Sequence, residues 1–161
     1  MPAPQALIPN SAVRLCATFF GTGLARFAPG TVASALALAL LLPLPASWWP
    51  VAPLVLAAEA TIGCVLIARR FPPKSSGGDP GWFVLDEAAG LWLACALPQK
   101  PSIMLALVAF ALFRVADIFK PPPLRRMERI GGGFGIVADD LGAGLYALLL
   151  TMLIASAYSA S

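Results

Sequence analysis

From Phe27 to Ala58 the chain carries no charged side chain, yet the same stretch holds Pro43, Pro45, Pro50 and Pro53 with Trp48 and Trp49 between them. A helix needs ~20 consecutive apolar residues to cross a bilayer. Proline ends or kinks a helix, and tryptophan favours the membrane–water interface. The run is too long for one span and carries its own break. It predicts a span near 31–48, a tight turn, and a second span near 52–68 stopped by Arg69, Arg70 and Lys74. Composition agrees with membrane burial. Of 161 residues, 59% are hydrophobic and 12% charged, and mean hydropathy is +0.82. A soluble domain carries about twice that charged fraction. The chain is therefore neither disordered nor a water-soluble enzyme with a well-charged shell.

The rest divides by the same signals. Segment 11–26 predicts a short helix and a loop, and 71–81 (FPPKSSGGDPG) reads as loop. Trp82 to Leu97 predicts a third, short span with Asp86 and Glu87 near its start. Ile103 to Phe119 predicts a fourth, ended by Lys120 and Pro121, Pro122 and Pro123. A basic segment at 124–130 and the glycines Gly131, Gly132, Gly133 and Gly135 lead into a last span, from about Ile136 to Ala157. The expected architecture is one all-α domain over 1–161, an integral membrane bundle of about four to five transmembrane helices with short N-terminal and interfacial helices. Met1 to Asn10 lacks the basic start of a signal peptide.

Net charge is +3 and the isoelectric point about 9.0. With a cytoplasmic N-terminus, the spans place Arg69, Arg70 and Lys74 and the run from Lys120 to Arg129 on the cytoplasmic side, leaving Lys100 opposite. That follows the positive-inside rule and points to anionic lipid, not nucleic acid, as the partner. No protein partner is expected. Cys16, Cys64 and Cys95 form no metal or disulfide spacing and read as small buried hydrophobes.

The chain has 8 acidic residues and no histidine. Histidine-dependent triads and His-ligated zinc are excluded. All the acids except Glu59 and Glu128 fall at the cytoplasmic ends of the predicted spans: Asp79, Asp86, Glu87, Asp117, Asp139 and Asp140. Carboxylates at a membrane span are costly unless paired or bound to a cation. Several hard oxygens together suit Mg²⁺, Mn²⁺ or Ca²⁺. The plain alternative is helix N-capping by Asp79, Asp86 and Asp139, which leaves the second member of each acidic pair unexplained. Arg114, Asp117 and Lys120, spaced by three, predict one helical stripe able to hold phosphate. Gly21, Gly23 and Gly30 and the later glycines suit close approach to phosphate oxygens, whereas Gly90, Gly142 and Gly144 suit close helix packing. Glu59, mid-span, reads either as the lining of a substrate groove or as a hydrogen-bonded carboxyl facing the bundle. Glu128 reads as a surface ion-pair partner.

Three blocks are similar to the phosphatidylglycerophosphatase A family. They are Gly21–Ser34 (GTGLARFAPGTVAS), Asp79-Pro80 with Phe83–Gly90 (FVLDEAAG), and Phe113–Pro121 (FRVADIFKP) continuing through Gly131–Gly135 to Asp139-Asp140. Ala33 stands where the family has glycine. The resemblance implies a Mg²⁺-dependent membrane enzyme that hydrolyses phosphatidylglycerophosphate to phosphatidylglycerol and phosphate. It implies metal ligands among Asp79, Asp86, Glu87, Asp139 and Asp140, and catalytic roles for Asp86, Asp117, Asp139 and Asp140. Phosphate would be bound by Arg114 and Lys120, with Arg26, Thr31 and Ser34 of the first block. Competing expectations are a phosphatase of another lipid phosphate, a CDP-alcohol phosphotransferase-like enzyme, whose spacing is not found, and a divalent-cation transporter. The last would need polar groups through the full membrane depth.

Overall fold

The computed structural model describes residues 10–69, 81–127 and 133–159, and among these every regular element is helical. The elements are α1 (Ser11–Ala17), α2 (Pro29–Leu41), α3 (Val51–Ala68), α4 (Leu85–Ala94), α5 (Ile103–Phe119), α6 (Leu124–Met127) and α7 (Gly133–Ser159), with 3₁₀ turns at Thr22–Leu24 and Ala46–Trp48. Local chemistry sets several boundaries. The Asn10 carboxamide accepts from the N–H groups of Ala12 and Val13 at the start of α1. Pro29 opens α2, where its missing N–H costs nothing. The Ser102 hydroxyl caps α5 by accepting from Leu105 N–H.

α4 is the centre of the bundle, packed against α2, α3, α5 and α7. Leu85, Asp86, Ala88, Ala89, Gly90, Leu91, Trp92 and Ala94 are all buried. This corrects the expected third span. At 10 residues, α4 is about 15 Å long, half a hydrocarbon core, and it is enclosed by protein. α2 also stops earlier than the expected 31–48 span, at Leu41, and the proline-rich stretch after it forms a turn instead of helix. Lys100 explains how α2 can end there: its ammonium donates to the carbonyls of Leu42 and Leu44 at 2.8 and 2.6 Å, groups the helix leaves open. Trp92 and Trp49 indoles donate across the bundle to the carbonyls of Ala37 and Cys95.

Two helices are long and apolar enough to cross a membrane, Val51–Ala68 and Phe134–Tyr158. Only 33% of the first helix, and 22% of an 18-residue apolar window of the second, is buried inside the chain, so both present apolar surface outward, unlike core helices of a soluble fold. The described helices do not establish four or five spans. Two further expectations change. Cys16 is exposed because α1 is a short perimeter helix, whereas Cys64 and Cys95 are buried. Glu59 is exposed on the outer face of α3, so it neither lines a groove nor faces the bundle. Glu128, Arg129, Arg70 and Lys74 lie outside the described residues.

Candidate active site

Contacts between helix ends define one pole of the bundle. The starts of α2, α4 and α7 and the ends of α3 and α5 meet there, and so do the carboxylates. Asp86 and Glu87 stand in the first turn of α4, and Asp140 stands on α7. Asp86 and Asp140 are buried and Glu87 is half-buried. One oxygen from each of the three lies within 4.8 Å of the others.

Glycines bring them together. A Cβ on Gly90 would sit 2.6 Å from the Asp140 carbonyl oxygen and 2.6 Å from the Phe113 ring, and one on Gly144 would run into the Gly90 carbonyl. Gly90 follows Asp86 by four residues, and Gly144 follows Asp140 by four. That is one helical turn on the same face. The backbone contact of α4 with α7 therefore lies one turn below the carboxylates and sets their separation. Gly30 does the same for Glu87: a Cβ there would overlap Glu87 Oε1. The first sequence block thus packs directly on the second.

Neither acidic pair caps a helix. The α4 N-cap is Val84, with no side-chain bond, and Asp86 accepts from its neighbour Glu87 N–H at 3.1 Å. Asp139 lies well inside α7, which starts at Gly133 and not near Ile136. Glycine lowers helix propensity by about 1 kcal/mol, but packing of the buried Ile136, Val137 and Ala138 carries the helix back through Gly135. Burial, then the adjacent charges of Glu87 and Asp140, holds the Asp86 carboxyl well above its usual range. Burial also raises Glu87, opposed by its hydrogen bond with Asp86. Three acids packed in this way have no ion pair among the described residues, and Glu87 Oε2 is buried without a donor. A hard divalent cation bound to these oxygens would relieve both conditions, so the donor set fits such an ion.

Two cations stand beside the acids. Arg114 Nη1 lies 2.8 Å from Asp117 Oδ2, an i,i+3 pair on α5, but out of line for a hydrogen bond. Arg114 Nε and Nη1 are buried and make no hydrogen bond among the described residues. Asp117 is within electrostatic reach of Glu87. Lys120 does not continue the expected stripe. α5 ends at Phe119, and Lys120 caps it in the left-handed conformation (φ 45°), which sends its ammonium to Asp139 Oδ2 at 2.7 Å. Proline at 121 disfavours further helix, so the stripe stops one residue short.

The first block is divided. Thr31 is half-buried at the start of α2, next to Gly30 and so near Glu87. Ser34 is buried and its hydroxyl donates to the Gly30 carbonyl at 2.8 Å, inside its own helix. Arg26 is exposed, its guanidinium 5.6 Å from the Phe27 ring centre. Asp79 lies outside the described residues. The structure thus gathers Asp86, Glu87, Asp117, Asp139, Asp140, Arg114 and Lys120, with Thr31 at the edge, and leaves Arg26 and Ser34 turned elsewhere. Sequence reasoning missed that Gly90 and Gly144 position carboxylates. The signal was present as their shared four-residue offset from Asp86 and Asp140.

A profile of the family described as PgpA, phosphatidylglycerophosphatase A, matches residues 15–155. The chain belongs to the phosphatidylglycerophosphatase A family. It is 34% identical over 133 residues to phosphatidylglycerophosphatase A of Escherichia coli K12, covering 81% of this chain and 76% of that one. It is 35% identical over 144 residues to the Haemophilus influenzae protein of the same name, covering 88% of each. A Bacteroides thetaiotaomicron protein named "Putative phosphatidylinositol-3-phosphatase" is 38% identical over 144 residues, covering 84% of this chain and 89% of that one. No solved structure matches. The family match takes in the whole described site, from the α2 start to the acidic pair of α7.

Proposed function

We propose that this chain is a Mg²⁺-dependent lipid phosphatase that hydrolyses phosphatidylglycerophosphate to phosphatidylglycerol and inorganic phosphate. The observation that carries this reading is the buried Asp86–Glu87–Asp140 cluster beside an arginine whose buried Nε and Nη1 make no hydrogen bond among the described residues. Family membership supports the substrate.

Asp86, Glu87 and Asp140 would hold the cation, with Asp139 and Asp79 as further candidate ligands. When bound, the ion neutralises phosphoryl oxygens and favours attack by water. Arg114 supplies the open donors of its fork to the phosphate, and Asp117 holds that guanidinium in place. Lys120 adds a point charge, with Asp139 fixing its position. Thr31 offers a hydroxyl at the α2 N-terminus, where open N–H groups favour an anion. These fixed donors stabilise charge on the phosphoryl group as it transfers. Because the chain has no histidine, the proton acceptor is a carboxylate or hydroxide. Asp117 and Asp139 stand at the edge of the cluster and are the candidates. Water forms the new O–P bond, the ester O–P bond breaks, and the water proton ends on the departing glycerol oxygen by way of the carboxylate.

Arg26, Arg69, Arg114, Lys120, Arg125 and Arg126 belong to the acidic pole, and Lys100 to the other. The positive-inside rule then favours a multi-pass protein of the bacterial inner membrane with this pole facing the cytoplasm. Two alternatives are separable. The Bacteroides relative's name favours a test of phosphatidylinositol 3-phosphate as substrate. A cation transporter is disfavoured because the described carboxylates other than Glu59 lie at one pole.

The deciding experiment is phosphate release by the purified, vesicle-reconstituted protein. Phosphatidylglycerophosphate and phosphatidylinositol 3-phosphate are each supplied with Mg²⁺ and then with EDTA. Release from the first, lost in EDTA, is expected. Release from neither sinks the reading, and preference for the second reassigns the headgroup.

A further inference from the structure

Between α1 and α2 the chain makes a loop whose outward side chains suit neither water nor a protein core. Phe20 is 65% exposed, Leu24 60% and Phe27 77%. None of them belongs to an α-helix, so the outward apolar surface of a membrane span does not account for them. Arg26 lies among them, its guanidinium over the Phe27 ring.

The loop is tightly held. Phe19 and Phe20 are both left-handed, at φ 41° and 57°, as is Ala28 at φ 44°. Such conformations in bulky residues persist only where surrounding structure imposes them. Here Phe19 turns inward, edge-on to Trp92 at 5.6 Å between centroids, while Phe20 points out. Phe20 N–H donates to the Leu15 carbonyl at 2.8 Å, Gly23 N–H donates to the Thr18 carbonyl at 2.9 Å, and Gly21 N–H donates to the Thr18 hydroxyl at 3.2 Å. A Cβ on Gly23 would collide with the Trp82 carbonyl, so the loop is seated on the chain leading into α4. At its far end Gly30 touches Glu87. The segment is a rigid ledge that starts in the core and ends at the acid cluster.

We propose that this ledge is a lipid-docking surface. Phe20, Leu24 and Phe27 enter the headgroup–acyl boundary of an anionic bilayer, and Arg26 contacts lipid phosphate at its rim. Apolar and aromatic side chains flanking a cation match that boundary, whereas an apolar protein partner would leave Arg26 buried and unpaired. Anionic headgroups also complement Arg69, Arg125 and Arg126, exposed at the same pole. The ledge thereby sets the depth at which a lipid-borne phosphomonoester meets Glu87 and its neighbours. It would separate lipid phosphates from free phosphate esters, and it rests on the lipid-phosphatase reading for that consequence alone.

The test has one arm independent of activity. An environment-sensitive NBD fluorophore is placed on Phe27→Cys in a Cys16→Ser background and reconstituted in phosphatidylglycerol–phosphatidylethanolamine vesicles. Blue-shifted emission, quenched by lipids spin-labelled near the headgroup and unchanged by protein-to-lipid ratio, is expected. Water-like emission overturns the proposal. A shift that grows with protein-to-lipid ratio also overturns it and assigns the ledge to a second copy. The other arm measures hydrolysis by Phe20→Ser/Phe27→Ser. KM for phosphatidylglycerophosphate in vesicles should rise about tenfold with kcat kept within about twofold, equivalent to ~1.4 kcal/mol. An unchanged KM overturns the positioning role. If the wild type hydrolyses no lipid phosphate, the functional reading fails while the fluorescence still decides the ledge.

Discussion

Gly90→Ala tests the physical logic of the site without touching a charged group. A Cβ at position 90 would lie 2.6 Å from both the Asp140 carbonyl and the Phe113 ring, with a second ring carbon at 2.9 Å. Ordinary carbon contact begins at ~3.5 Å, so α4 and α7 must part by about 0.9 Å. Neither neighbour can yield locally: one is helix backbone and the other a fully buried ring. Overpacking of this kind costs roughly 1–3 kcal/mol of stability. The functional cost is larger, because the displaced backbone carries Asp140, and a shift of about 1 Å in a catalytic group can cost ~10²-fold in rate. Gly142→Ala is the comparison. It lies on α7, two residues after Asp140, and its Cβ would meet only side-chain ends, those of Leu124 and Met127, which adjust at lower cost than helix backbone. Phosphate release from lipid vesicles and thermal unfolding in detergent are measured for both variants. The expected result is a fall in kcat of about 10²-fold for Gly90→Ala and under tenfold for Gly142→Ala. Equal losses in the two variants, or wild-type turnover in Gly90→Ala, would refute the argument that glycine contact spaces the carboxylates.

Asp140→Asn should lower turnover by at least about 10²-fold while leaving the helical circular dichroism unchanged, and added Mg²⁺ should restore part of it if the loss lies in ion affinity. Arg114→Lys keeps the charge but removes the fork, and should raise KM about tenfold in the same assay. Lys100→Met strips the donors from the Leu42 and Leu44 carbonyls at the opposite pole. It should lower stability by roughly 1–3 kcal/mol with kcat unchanged, read from thermal unfolding against turnover. Glu59→Leu should leave turnover unchanged, because the side chain is exposed on the outer face of α3. A large loss there would reopen the question of a polar path through the bundle.

Much of the site was legible because charge is so scarce. In a chain with 8 acids, a carboxylate at the end of an apolar segment is conspicuous, and Asp86, Glu87, Asp117, Asp139 and Asp140 do converge at one pole. Helical class, the α3 and α5 segments and the short N-terminal helix also follow from apolar runs bounded by proline and charge. Hydropathy misled where burial in protein and burial in lipid look alike. Trp82 to Leu97 is apolar because α4 is enclosed by four helices, not because it crosses a bilayer. Periodicity misled at Lys120, since a helical stripe assumes a helix that continues, and this one ends at Phe119.

The sequence by itself determined which residue types were available for chemistry. Having no histidine and few acids narrows the groups on offer, and long uncharged runs broken by proline point to an apolar helical bundle. What only the tertiary structure decided is which of those residues meet. Asp86 and Asp140 are far apart in the chain, and their separation in space depends on two helices touching at Gly90 and Gly144 one turn below. Likewise the Gly30 contact brings the α2 start to Glu87, and a left-handed Lys120 turns its ammonium to Asp139. Spacing along a chain encodes neighbours within one helix. Neighbours between helices follow from how closely their backbones can approach, which a residue list does not contain until the helices are packed.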